Sequence, residues 1–220
     1  MKFSDVLASI IHDMKNSLGM VINTLDELAA ENECQEHSKL ASLQHESKRL
    51  NNNLIALLSL YKIDHGHLSP NIEEINVEDF LEEVAVDNQT IANTKGVIID
   101  YECEEALAGY FDQWLIRGVI NNLIGNGLRY TSKKIVIYAE MKEDYLVFDI
   151  EDDGAGFPQN MIDAQAVFNR NDSLSEGHTQ LGIYFASMVA STHKNGDRQG
   201  FVKLANHKRL KGGCFSIWLP

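Results

Sequence analysis

Four short runs of this 220-residue chain carry side chains that could do chemistry. The first is His12-Asp13-Met14-Lys15-Asn16. It lies in an apolar stripe of Leu7, Ile11, Met14, Leu18, Val21, Leu25 and Leu28, whose alternating steps of four and three belong to a helix packing lengthwise on other helices. His12 falls one residue off that stripe, about 100° round the helix from Ile11, with Asp13 beside it and Asn16 one turn on along the same flank. An imidazole at an edge, next to a carboxylate, suits a nucleophile that a partner must reach. The second run is Asn122-Leu-Ile-Gly-Asn126-Gly-Leu-Arg129-Tyr130-Thr131. Its two carboxamides, one turn apart, face the same side of a helix and could hold Mg²⁺ through hard oxygen and water. The third, Asp152-x-Gly154-x-Gly156, fixes an acceptor at a strand end beside glycines that let a ligand approach the backbone. The fourth, Gly177-His178-Thr179-Gln180-Leu181-Gly182-Ile183, is a loop feeding a helix N-terminus, where free N–H groups favour phosphate. Taken singly, each has an ordinary reading: a surface histidine, a solvated asparagine pair, a turn, a loop. Their order and spacing together carry the signal.

The elements that must position these runs can be read from periodicity. The first helix runs from about Ser4 to Ala30, and 31–36 is a polar turn. A second stripe follows in Leu40, Leu43, Ser47, Leu50, Leu54, Leu57 and Tyr61. Two such helices form an antiparallel hairpin with half of each stripe uncovered, so a second copy is expected to close a four-helix bundle by two-fold symmetry. Residues 63–76, with Gly66 and Pro70, read as a linker. Beyond it the pattern gives a helix over 77–94, strands at 97–101 and 107–111, and a helix capped by Asp112 that runs to Leu128. Strands at 135–138 and 145–150 are joined by a turn at Lys142-Glu143-Asp144. Residues 159–180 read as irregular, 181–192 as helix, and 200–204 and 214–219 as closing strands. The expected fold class is α+β: an N-terminal helical hairpin (1–66) forming a dimeric four-helix bundle, a linker (67–76), and an α/β sandwich (77–220) with helices on one face of a mixed sheet.

Composition bounds the function. The net charge of −13, from 19 basic and 32 acidic residues, argues against nucleic-acid binding through overall charge. No window approaches the roughly 20 apolar residues that cross a bilayer, and the N-terminus has no signal-peptide core, so a cytoplasmic protein without a membrane partner is expected. Cys34, Cys103 and Cys214 are too few and scattered for a disulfide framework. Cys34-x-x-His37 and His65-x-His67 lack further ligands nearby and read as solvated helix ends rather than metal sites.

With these motifs in this order, nearly the whole chain resembles the catalytic core of the two-component sensor histidine kinases. His12 to Leu18 looks like the H box, Asn122 to Thr131 the N box, Asp152 to Gly156 the first glycine box, and His178 to Ile183 a reduced second one. Gly212 to Pro220 looks like the closing strand. The resemblance implies that His12 is the phosphoacceptor, that Asp13 raises its nucleophilicity, and that Asn16 orients water if phosphate is also removed from a response regulator. It implies ATP and Mg²⁺ as cofactors, with Asn126 as metal ligand supported by Asn122. Arg129, in place of the usual lysine, would meet phosphate, and Tyr130 would border the nucleotide. Asp152 would accept from the adenine amino group, with Gly154 and Gly156 around it and Thr179, Leu181 and Gly182 on the phosphate side.

The sequence departs from the family pattern at several points. Ser17 replaces a usual proline, His178 and Gln180 stand at usual glycines, and the phenylalanine box is reduced to Val167-Phe168-Asn169-Arg170. Weak or conditional kinase activity is therefore expected. His12 stands so near the first residue that a separate sensor protein is expected to control the enzyme, by analogy a detached haem-based gas sensor. The expected partners are a second copy of the chain and a response-regulator receiver domain. Two other readings stay open: an ATP-independent histidine phosphotransfer protein that kept the kinase shape, and an interaction module of the anti-sigma type.

Overall fold

The computed structural model describes residues 69–163 and 180–220, the latter with backbone alone at 180–181, together with the single positions 14, 16, 17, 19–21, 50, 56 and 59. Those single positions are helical, with Ser17 and Ala56 buried and Asn16 exposed. The hairpin expected over 1–66 otherwise lies outside the described residues.

The chain enters the domain through a short strand, β1 (Glu73–Asn76), and turns directly into helix α1 (Val77–Thr94). Asn76 caps that helix, its Oδ1 accepting the Asp79 N–H at 3.1 Å, and Glu78 and Asp79 complement the positive end of the helix dipole. Strands β2 (Ile98–Cys103) and β3 (Ala108–Phe111) follow. Helix α2 (Gln113–Gly127) is capped by Asp112, which accepts from the Leu115 N–H at 3.0 Å. Strands β4 (Lys134–Lys142) and β5 (Tyr145–Asp152) form a hairpin whose turn residues Glu143 and Asp144 both have positive φ, the two-residue turn whose twist matches the strands. A short helix α3 (Gln159–Asp163) comes next, then helix α4 (Gln180–Thr192), the small hairpin β6 (Lys194–Asn195) and β7 (Arg198–Gln199), and strands β8 (Phe201–Asn206) and β9 (Gly213–Leu219).

Five strands make one sheet in the order β2-β4-β5-β9-β8, with β2 parallel to β4 and every other pair antiparallel. The alternation of β5 sends Leu146, Phe148 and Ile150 to the face covered by α1, α2 and α4. Phe148, Phe80 of α1 and Phe111 of β3 meet one another in edge-to-face contacts with centroids 5.1–5.9 Å apart, the geometry ring quadrupoles prefer. Each such fully buried ring contributes about 1.5–3 kcal/mol relative to exposure.

The mixed sheet with helices on one face is the α/β sandwich expected from the sequence. Three local features differ. Glu73–Asn76, inside the stretch read as linker, pairs antiparallel with β3 from Glu73↔Phe111 to Asn76↔Ala108. The sequence Glu-Glu-Ile-Asn has one apolar residue and no alternation to betray a strand. Helix α3 stands where 159–180 read as irregular, and the β6–β7 hairpin falls between predicted elements.

One buried polar junction ties the chain entry to both helices. The Asp112 N–H donates to His193 Nε2 at 3.0 Å, and His193 Nδ1–H donates to the Val189 carbonyl at 2.9 Å. Asp112 Oδ2 accepts the Asn71 N–H at 2.8 Å. Burial lowers the His193 pKa, and the Val189 bond and Asp112 offset this only in part. A histidine with a depressed folded pKa adds stability above its unfolded value near 6.5 and loses it as pH falls. Urea midpoints should therefore drop between pH 7.5 and 5.5, above the window in which ordinary carboxylates titrate, and His193→Gln should flatten that slope.

Candidate functional site

A cavity of about 250 Å³ opens between α2, α4 and the end of the sheet where β4, β5 and β9 meet the glycine-rich loop. Its walls are apolar: Leu123, Ile135, Ile150, Met161, Ile183 and Phe215. Asp152 stands at the end of β5, Asn126 lies on α2, and Tyr130, largely exposed, borders the opening. Such a slot accepts a flat apolar group that presents a hydrogen-bond donor to one carboxylate.

Asp152 is held by its own turn. Its Oδ1 accepts the Gly154 N–H at 2.7 Å. Burial pushes its carboxyl pKa up, the N–H groups of Gly154 and Gly213 pull it down, and the neighbours Asp153 and Glu151 add to the rise. Asp153 points the other way: its Oδ1 takes the N–H groups of Ser132 and Lys133, both at 2.9 Å, and of Lys134 at 3.2 Å. Burial would raise the Asp153 pKa, but these backbone donors outweigh it and the net shift is downward. The same bonds draw the segment after α2 against the loop, so that a Cβ on Gly154 would collide with the Tyr130 carbonyl oxygen. Gly156 has φ +81°. Asn206 clamps the next turn, its Oδ1 accepting the Phe157 N–H at 2.7 Å and its Nδ2 donating to the Phe157 carbonyl at 2.8 Å.

On the other side of the cavity Asn126 Nδ2 donates to Asn122 Oδ1 at 3.1 Å. That bond turns the Asn126 nitrogen toward Asn122 and so leaves the carbonyl oxygen on the other side of the amide, the atom a hard cation requires. Gly182 of α4 lies against this pair, where a Cβ would be 2.5 Å from Asn122 Oδ1 and 3.0 Å from Asn126 Nδ2. The glycine thus serves close helix–helix approach.

Of the residues singled out from sequence, Asn126, Tyr130, Asp152 and Gly156 line the cavity, while Asn122, Gly154 and Gly182 stand behind them. Arg129 is exposed beyond the end of α2 and does not line it. Leu181 is in the first turn of α4 with its side chain outside the description. Asn16 is helical and exposed, and His12, Asp13 and Thr179 lie outside the described residues. Sequence reasoning assigned no role to Asp153 and did not single out Asn206. An aspartate directly after a buried strand was a signal for the first, and nothing in sequence pairs Asn206 with Phe157.

On the far face of the sheet Asp149, Glu151 and Cys214 bring potential metal ligands within 4.8 Å of one another. Arg209 and Lys208 already bind Asp149, and burial with the Asp149 charge pushes the Cys214 thiol pKa up to about 12. A protonated thiol beside neutralised carboxylates is a poor metal centre.

The profile of the histidine kinase-, DNA gyrase B- and HSP90-like ATPases matches residues 111–220. Sensor protein SrrB of Staphylococcus aureus is 26% identical over 229 residues, covering 98% of this chain and 38% of SrrB. The chain spans two-fifths or less of the curated relatives it matches. Among solved structures, Acinetobacter baumannii histidine kinase AdeS superposes with a TM-score of 0.66 at 18% identity, over 94% of this chain and 96% of that one. Histidine kinase ThkA in complex with response regulator protein TrrA gives 0.63 at 15%, over 98% and 61%. At these identities the structural likeness is one of fold.

Glycine substitution separates the site's close approach from ordinary helix propensity. Gly154→Ala should lower unfolding free energy by about 1–3 kcal/mol. Gly118→Ala in α2, where a Cβ meets nothing within 4 Å, should be stabilising by up to about 1 kcal/mol. Urea denaturation of both variants measures the contrast.

Proposed function

The chain belongs to the histidine kinase-, DNA gyrase B- and HSP90-like ATPase family, and from that premise we propose that it is an ATP-dependent protein-histidine kinase. The observation that carries the proposal is the apolar cavity with the Asp152 carboxylate at the end of β5 and the Asn126 carboxamide oxygen on α2. The residues present fit an adenine nucleotide with Mg²⁺. Apolar walls take the base, Asp152 accepts from its exocyclic amine, and Asn126, oriented by Asn122, supplies an oxygen to the cation. When bound, ATP and Mg²⁺ supply the phosphoryl group and neutralise its charge. Tyr130 borders the mouth beside the nucleotide, and Arg129, exposed beyond α2, swings toward the phosphates.

His12 is the phosphoacceptor in this reading. A neutral imidazole, with a reference pKa near 6.5, is ready to attack at neutral pH, and Asp13 beside it stabilises the cation that forms. The hairpin over 1–66 pairs with a second copy, and the phosphoryl group passes from His12 to an aspartate of a response regulator. ThkA bound to TrrA, with which this chain shares its fold, supports that partner class. A separate sensor controls the kinase, and Asn16, exposed as its place off the apolar stripe requires, orients water for the reverse removal of phosphate. The proposed kinase is cytoplasmic; among the described residues no helix is long and apolar enough to cross a membrane.

One observation favours a second reading. Gly182, the glycine remaining from the reduced second box, is taken up in packing against Asn122 and Asn126, as a phosphotransfer protein without ATP chemistry would tolerate. Incubation with γ-labelled ATP and Mg²⁺ separates the two. The kinase is labelled in an acid-labile, base-stable form, His12→Gln abolishes the label, and Asp152→Asn reduces it by about tenfold or more, the cost of one charge-assisted hydrogen bond. An unlabelled protein that nonetheless takes phosphate on His12 from a phosphorylated receiver domain is a phosphotransfer protein.

A further inference from the structure

The sheet face turned away from the helices holds an ion network that the proposed chemistry does not use. Asp149 and Glu151 sit on that face at 0% and 1% exposure. Their cover is the loop 207–212 between β8 and β9. The Arg209 guanidinium reaches Asp149 Oδ2 at 3.0 Å, Glu151 Oε1 at 3.1 Å and Glu140 Oε1 at 2.9 Å, and lies 4.2 Å over the Tyr138 ring. Glu151 Oε2 accepts the backbone N–H groups of Arg209 and Leu210, both at 2.8 Å. Asp149 is further bound by Lys208 and by the Ser216 hydroxyl. A planar fork that spans three carboxylates and stacks on a ring is a role lysine cannot fill.

The same loop ends in the site. The Gly212 N–H donates to the Asp152 carbonyl at 3.0 Å, and the His207 N–H closes the loop on the Gly212 carbonyl at 3.0 Å. A Cβ on Gly212 would stand 2.5 Å from the Asp152 carbonyl oxygen and would strike the carboxylate as well. The Gly213 N–H bonds the Asp152 carboxylate. The orientation of Asp152 is thus fixed from two sides, by Gly154 in its own turn and by Gly213 at the start of the neighbouring strand β9. Because successive residues of a strand face opposite ways, Glu151 is anchored outside while Asp152 enters the cavity.

We infer that Arg209 is a positioning residue of the nucleotide pocket, pinning the β8–β9 loop to Asp149 and Glu151 so that Gly212 and Gly213 hold the Asp152 carboxylate in place. The consequence for nucleotide rests on the function proposed above, whereas the latch rests on the loop geometry alone. The test uses the full chain with Arg209→Met and Arg209→Lys, amide hydrogen exchange, and trinitrophenyl-ATP as the binding probe. Arg209→Met should speed exchange at Gly212 and Gly213 while Ile137 and Phe148 in the sheet keep wild-type rates, and should weaken probe binding by about tenfold, the loss expected for charge-assisted bonds. Arg209→Lys keeps a cation near the buried carboxylates and should fold even if Arg209→Met does not, with a smaller change confined to the same two amides. Wild-type exchange at Gly212 and Gly213 in both variants, or faster exchange spread evenly over the sheet, overturns the inference. A wild-type chain that fails to bind the probe while Arg209→Lys still frees Gly213 overturns the nucleotide reading and upholds the latch.

Discussion

Strand β5 has no solvent face. Phe148 and Ile150 are buried under the helices, and Asp149 and Glu151 are buried on the opposite side. Removing two carboxylates from water is costly unless each is paired and fully hydrogen-bonded. Burial alone would raise the Asp149 pKa, and the bonds from Lys208, Ser216 and Arg209 more than reverse that shift. The strand can therefore be central only if the β8–β9 loop folds over it. Once that loop is down, the position of Asp152 at the strand end follows. Pairing with β4 on one side and β9 on the other leaves the backbone there little freedom.

The opposite end of the domain is held by different means. Asp112 is at once the cap of α2, the acceptor for the entering Asn71 N–H and, through its own N–H, a partner of the buried His193 at the end of α4. These bonds are short, neutral or singly charged, and enclosed, so they fix where the chain arrives without a large ion cluster. The junction thus anchors the entering chain to the start of α2 and the end of α4.

What sequence revealed and what it hid divide along a physical line. The cap at Asp112, the helix over 77–94 and the turn at Glu143-Asp144 rest on local rules of capping, periodicity and turn chemistry, and the structure has them at those places. The motif around Asp152 was legible because a strand end followed by glycines is itself local. Strand β1 was not, since Glu-Glu-Ile-Asn becomes a strand only through β3 thirty-odd residues away. The Asn206 clamp spans 49 residues and the Arg209 bonds to Asp149 and Glu151 span 58 to 60. A charged residue in a polar loop reads as a solvated one until the fold supplies its partners.

The arrangement of helix ends adds a reason for the chemistry to sit where it does. Asn122 and Asn126 occupy the last two turns of α2, whose unsatisfied carbonyls make that end negative, and no basic side chain of that helix's last turn offsets it. Gly182 is in the first described turn of α4, the end that the helix dipole makes positive. The close approach of Gly182 to the two asparagines brings these opposite ends together beside one cavity. A cation on the asparagine oxygen and an anion under the α4 N-terminus would each find the helix dipole that favours it, and would neutralise one another. A side chain at position 182 would separate the two ends by the width of a methyl group or more. On this argument the glycine matters for juxtaposing the dipoles, and the polar residues His178 and Gln180 in place of the usual glycines do not by themselves remove that field.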